Sequence, residues 1–108
     1  MSFVEVAKTT DITNGQMKAI HVEGKEILVI NYDGKYFTID ARCTHMGGEL
    51  VKGSLKGKIV TCPRHGAKFD VTTGSCISGP KIGLFRLKSK DIVTYEVNIE
   101  SDSVKVNL

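Results

Sequence analysis

Four residues of two kinds constrain this chain more than anything else in it. Cys43 and His45 lie in Ala41-Arg42-Cys43-Thr44-His45-Met46-Gly47-Gly48, and Cys62 and His65 lie in Cys62-Pro63-Arg64-His65-Gly66. Written as a pattern this is C-x-H, sixteen residues, then C-x-x-H. Each cluster offers one thiolate and one imidazole, and each follows a segment that reads as a β-strand. Two strand-end loops brought together would place four soft-to-borderline donors around one centre. Gly47, Gly48 and Gly66 let the backbone pass close to a bulky group.

Two metal readings compete with simple coincidence. A structural zinc site also uses two cysteines and two histidines, but the familiar fingers put the cysteines in one knuckle and the histidines in the other. Here every loop supplies one of each. That suits a dinuclear iron–sulfur centre in which one iron takes both cysteines and the other both histidines. The remaining cysteine, Cys76, leaves an odd count, and the start Met1-Ser2-Phe3-Val4-Glu5-Val6 lacks a basic region followed by a long apolar stretch. A disulfide framework is therefore not expected, and the expected compartment is the cytoplasm. Cys76 reads as a small, partly buried apolar residue, His21 as a strand residue and Met46 as packing over the first loop.

Short strand signals dominate the rest. Met17 to His21 is a candidate strand, followed by a Glu23-Gly24 turn. Lys25 to Tyr32 carries the apolar run Ile27-Leu28-Val29-Ile30, too short for a helix and bounded by turns. Asp33-Gly34 reads as a tight hairpin turn, with Lys35 to Asp40 returning. Val93, Tyr95, Val97 and Ile99 alternate with polar residues, and Val104, Val106 and Leu108 alternate after a turn at Ser101-Asp102-Ser103. Lys58 to Thr61 and Lys68 to Val71 are two further strands, with a turn at Thr72-Thr73-Gly74. The fold class is all-β, mostly antiparallel, in one domain over residues 1–108.

With these residues in view the chain resembles the Rieske ferredoxin family, in particular the small ferredoxins that feed electrons to multicomponent oxygenases. The likeness covers nearly the whole chain: the N-terminal strands, both loops, Phe69-Asp70 to Gly74, Gly79-Pro80 and the final hairpin beginning near Thr94-Tyr95-Glu96-Val97. It implies a Rieske-like antiparallel β-sandwich or barrel with a small cluster-binding subdomain, about residues 41–82, made of the two loops. It further implies one [2Fe–2S] cluster, with Cys43 and Cys62 on the inner iron and His45 and His65 on the outer one. The imidazoles would lie at the surface, with Gly79-Pro80 shielding the cluster.

Departures from relatives carry information. High-potential members resemble this chain but add a cysteine to each loop, as a disulfide, and two hydroxyls that donate to cluster sulfurs. Here Gly48, Arg64, Ala67 and Phe69 stand at those positions, so a potential at the low end is expected. Lys81 to Asp91 is a basic stretch longer than the family's usual connection, read as a solvated loop with a few core anchors. Arg42 and Arg64, beside ligands, hint at a partner with an acidic docking face.

These features sort the function classes. Fifteen Lys and Arg against twelve Asp and Glu leave a net charge of +3, too modest and scattered for nucleic-acid binding. No apolar run approaches the ~18 residues that span a bilayer, so no membrane partner is expected. An oxygenase's catalytic subunit needs a further iron site, and His21 is the only histidine left for it. The expected function is a soluble, monomeric, low-potential electron carrier, not an enzyme, between a ferredoxin reductase and a terminal oxygenase or similar acceptor. The alternative is a non-catalytic Rieske subunit of a larger reductase, like the nitrite reductase small subunit.

Overall fold

The computed structural model describes residues 2–44, 47–87 and 89–108. Among these the chain forms thirteen strands and two single 3₁₀ turns, with no α-helix. The strands are β1 (Phe3–Lys8), β2 (Met17–Val22), β3 (Lys25–Tyr32), β4 (Lys35–Asp40), β5 (Ser54–Lys56), β6 (Ile59–Thr61) and β7 (Lys68–Asp70). They continue with β8 (Cys76–Ser78), β9 (Lys81–Ile82), β10 (Phe85–Arg86), β11 (Thr94–Tyr95), β12 (Val97–Glu100) and β13 (Ser103–Asn107). The turns are Thr9–Asp11 and Leu50–Lys52. Every strand pairing is antiparallel.

Three small sheets share two cores. The first sheet runs β1-β13-β12, the second β11-β4-β3-β2 and the third β5-β6-β7-β8; β9 and β10 form a separate hairpin. The apolar run in β3 explains how they stack. Ile27 and Val29 pack with Ala7, Ile12, Val104 and Val106, whereas Leu28 and Ile30 pack with Ile39, Val60, Phe69 and Val71. Alternate side chains point to opposite faces, so a strand buried on both sides reads as continuous apolar sequence. β3 is therefore the middle layer, with the first sheet on one face and the third on the other. All four residues of the run are fully buried, each contributing about 1.5–3 kcal/mol of transfer free energy.

The turns at Glu23-Gly24 and Asp33-Gly34 close the hairpins that flank β3. Asp33 and Gly34 both take positive φ, +54° and +83°, the demand that glycine meets without a steric penalty. The Asn31 amide holds this corner, donating to the Ile12 carbonyl at 2.9 Å while its Oδ1 accepts from the Gly34 N–H.

Two expectations need correction. Val93 to Ile99 is not one half-buried strand. The chain changes sheets at Glu96, so β11 pairs with β4 and β12 with β13. Val93 is left exposed, and Ile99 stays partly open because β12 is an edge strand. The stretch from Lys81 onward is also no loop anchored in the core. It is the β9–β10 hairpin, turning at Gly83 (φ +61°), and residues 81–87 are all exposed; among the described residues Ile92 is the first buried one after it.

Candidate metal centre

Both cysteines stand first in a hairpin tip of the same length. The first tip is closed by the Arg42–Glu49 bridge and contains residues 43–48. The second is closed by the Thr61–Lys68 pair and contains residues 62–67. Among the described residues their backbone hydrogen bonds repeat one another. Cys43 N–H donates to the Gly48 carbonyl at 2.8 Å, and Gly47 N–H donates to the Cys43 carbonyl at 3.2 Å. In the second tip Cys62 N–H donates to the Ala67 carbonyl at 2.8 Å, and Gly66 N–H to the Cys62 carbonyl at 3.2 Å. Gly47 and Gly66 adopt φ of +67° and +76°, so each tip reverses on a left-handed glycine. The signal was present in the sequence as a repeated C-x-x-x-G, which the spacing of thiol and imidazole alone does not reveal.

The two tips converge. A Cβ placed on Gly48 would lie 2.8 Å from Cys62 Sγ, so the first tip's backbone runs directly against the second tip's thiol. Behind them, a Cβ on Gly53 would lie 1.8 Å from the Thr61 carbonyl oxygen. The turn after the first tip and the strand leading into the second thus meet backbone to backbone. Cys43 and Cys62 are 4% and 3% exposed and belong to one core with Leu50, Val60, Ala67 and Phe69. His65, in the second tip, is half-buried. His45 and Met46, both singled out in the sequence, lie outside the described residues.

This donor set fits an iron–sulfur cluster. Two thiols in a dry pocket are sheltered from solvent and oxidants. The two tips meet where Gly48 runs against Cys62, and Gly48 leaves room where a Cβ would intrude. A buried thiol pair with an imidazole at the boundary also satisfies a division into inner and outer metal positions.

The surroundings fix the tips without supplying acid–base chemistry. Arg42 is not a free docking charge, as its place beside a ligand had hinted. Its Nε donates to Glu26 at 2.8 Å, a second nitrogen lies 3.7 Å from Glu49, and Nη1 donates to the Gly47 carbonyl at 3.2 Å. The Glu26 carboxylate raises the Arg42 pKa, and Arg42 in turn holds Glu26 below the usual carboxylate range. Arg64 is exposed. Tyr95 Oη donates to Asp40 at 2.5 Å, tying β11 to the end of β4 just before the first tip.

Further contacts connect both tips to the later chain. Lys81 N–H donates to the His65 carbonyl at 2.7 Å, so the chain leaving Gly79-Pro80 sits against the second tip. Thr44 Oγ1 donates to the Lys90 carbonyl at 2.8 Å and lies 2.7 Å from Ser89 Oγ. Sequence reading missed the Thr44 bonds because they join residues more than forty positions apart. Cys76 is half-buried against the core, and its N–H donates to Asp91. His21 lies exposed on β2, 3.7 Å from Glu26.

A family model for the Rieske [2Fe–2S] domain matches residues 2–95. The chain belongs to the Rieske [2Fe–2S] family. Its cofactor is one Rieske-type [2Fe–2S] cluster. The ferredoxin component of a naphthalene 1,2-dioxygenase system from Pseudomonas putida is 32% identical over 100% of this chain and 97% of that protein. The structure of a Sphingomonas yanoikuyae B1 ferredoxin superposes with a TM-score of 0.82 at 30% identity, covering 99% of both chains. A ferredoxin in complex with the oxygenase of carbazole 1,9a-dioxygenase superposes at 0.84, with 25% identity over 96% of this chain and 100% of that one. Among the described residues no helix is long and apolar enough to cross a membrane.

Proposed function

We propose that this protein is a soluble, cytoplasmic, monomeric electron carrier, not itself an enzyme, that takes single electrons from a ferredoxin reductase and delivers them to a terminal oxygenase. In this reading Cys43 and Cys62 hold the inner iron, and His45 and His65 the outer one, within a cluster-binding region of about residues 41–82 of a single domain. When bound, the cluster supplies a site that accepts and releases one electron. The observation that carries the reading is the pair of matched tips, with both thiols buried and His65 at the boundary. It is supported by relatives of nearly equal length that serve as ferredoxin components of dioxygenase systems.

The chain's own residues perform the remaining tasks. Leu50, Val60 and Phe69 exclude water from the thiol side. Thr44 and Gly47 in the first tip and Arg64 in the second are exposed, so a partner can approach both tips closely. Ala67 and Phe69, buried beside the cysteines, carry no side-chain hydroxyl that could donate to a cluster sulfur. Fewer donors stabilise the more negative reduced state less. The potential should therefore lie toward the lower end of the range of about −150 to +300 mV that Rieske centres span.

Two measurements test this. Direct electrochemistry should return a potential in the lower half of that range; one near its top would remove the low-potential assignment. Anaerobic mixing of dithionite-reduced protein with an oxidised oxygenase component should reoxidise it with one electron delivered per chain. Isolation only as a fixed subunit of a large reductase would favour a non-catalytic Rieske subunit instead.

A further inference from the structure

The β9–β10 hairpin presents to solvent what a soluble protein usually buries. Ile82, Leu84, Phe85 and Leu87 are all exposed, Leu84 at 95% and Phe85 at 73%. Single exposed apolar side chains are ordinary, but several gathered on one projecting element mark an interaction surface. The segment from Ile77 to Lys90 contains Lys81, Arg86, Lys88 and Lys90 and no Asp or Glu. Among the described residues, Lys81, Arg86 and Lys90 enter no ion pair.

The hairpin is fastened at both roots to the metal centre. On one side Lys81 N–H bonds the His65 carbonyl, and on the other the Thr44 hydroxyl bonds the Lys90 carbonyl and meets Ser89. Within it, Arg86 Nη1 donates to the Gly79 carbonyl at 2.9 Å and Leu87 N–H to the Pro80 carbonyl at 2.8 Å. Each bond fixes the projection relative to the two tips.

We propose that this hairpin is the docking element for the terminal oxygenase that receives the electron, seating Leu84 and Phe85 in an apolar recess rimmed by carboxylates. The inference rests on the electron-carrier reading and adds to it the part of the chain that grips the partner. Three observations select this occupant. The hairpin is bonded to both tips, so a protein gripping it lies where electrons leave the centre. Its charge is of one sign, so a second copy of this chain would set cations against cations, whereas an acidic rim would steer association. The patch is small, which suits transient redox encounters rather than permanent assembly. A membrane surface shares the taste for basic and apolar residues, but seated here it would cover the outer face of the tips.

The test uses the cluster-loaded protein and its Leu84→Ser/Phe85→Ser variant, both side chains being exposed and outside the core. Each is reduced with dithionite and mixed in a stopped-flow instrument with the oxidised oxygenase component of the Pseudomonas putida naphthalene dioxygenase system. One electron leaves the reduced protein and one enters the oxygenase. Ferricyanide, which needs no docking, serves as the control oxidant. The expected result is a second-order rate constant at least tenfold lower for the variant with the oxygenase, an unchanged rate with ferricyanide and an unchanged potential. Equal rates with the oxygenase would overturn the docking inference while leaving the carrier reading intact. Failure of the unaltered protein to reduce the oxygenase, with ferricyanide reduction intact, would overturn the oxygenase-partner reading and the inference with it. Binding to phosphatidylglycerol vesicles, lost in the variant, would overturn it in favour of a membrane surface.

Discussion

A methyl group on Gly48 would meet the Cys62 sulfur at 2.8 Å and the Arg64 side chain at 3.2 Å. The arginine can swing away; a sulfur held by iron cannot. Gly48→Ala is therefore expected to lower iron and sulfide content per chain at least severalfold, measured on freshly purified protein, with loss of the visible absorbance. Asp70, at the foot of the second tip, is a different case. Burial of its carboxylate pushes its pKa up, but the Thr72 hydroxyl, the Thr72 N–H and Lys58 outweigh this and hold it below the usual value. A lowered folded pKa means stability that is fully present above the unfolded value of about 3.9 and is lost as pH falls through the folded one. Asp70→Asn should cost about 1–2 kcal/mol at neutral pH. Its melting temperature should also fall less than the unaltered protein's as pH is lowered below about 4. Parallel acid profiles for the two proteins would count against the assignment.

At the scale of elements, Tyr95 shows how β11 anchors the first tip. Burial first, and then the Asp40 carboxylate that accepts its hydroxyl, push its pKa up to about 12. The unfolded phenol ionises near pH 10, so this stability is present below pH 10 and is lost as pH rises from there through the folded value. Tyr95→Phe should lower stability by about 1 kcal/mol at neutral pH and flatten the alkaline decline, as followed by thermal melts from pH 8 to 11. Much at this scale was legible in the sequence. β3 and β4 have the bounds read from their turn residues, and both cysteine loops follow strands. β1 shows no clean alternation in the sequence, because the register shift between Glu5 and Ala7 breaks its period of two. The split at Glu96 was hidden for the opposite reason: alternation persists through a strand that changes sheets. The Thr44–Lys90 and Lys81–His65 bonds left no local signature at all.

For the whole molecule, the placement of the thiols decides how folding and cofactor are linked. Cys43 and Cys62 belong to the core that joins the second and third sheets, and the third sheet consists of strands of three residues each. Strands so short depend on what they pack against. Removing the cluster should therefore loosen the chain unevenly. Hydrogen exchange of the apoprotein is expected to show protection lost first across residues 54–78, while β3, buried on both faces, keeps its slow amides. Uniform loss of protection would mean that the three layers fold only as one unit with the cofactor.

The central claim is that four side chains from two hairpin tips hold a one-electron centre. The most direct test is a controlled-potential titration of the protein and its Cys43→Ser, His45→Ala, Cys62→Ser and His65→Ala variants, with iron and acid-labile sulfide measured on the same samples. About two irons and two sulfides per chain and reversible uptake of one electron are expected in the unaltered protein. Loss of that uptake, or a changed centre, is expected in all four variants. A variant that kept the full iron, sulfide and unaltered redox signal would remove its residue from the ligand set. Zinc without sulfide in the unaltered protein, prepared with adequate iron and without oxygen, would rule out the one-electron centre and leave a structural metal domain.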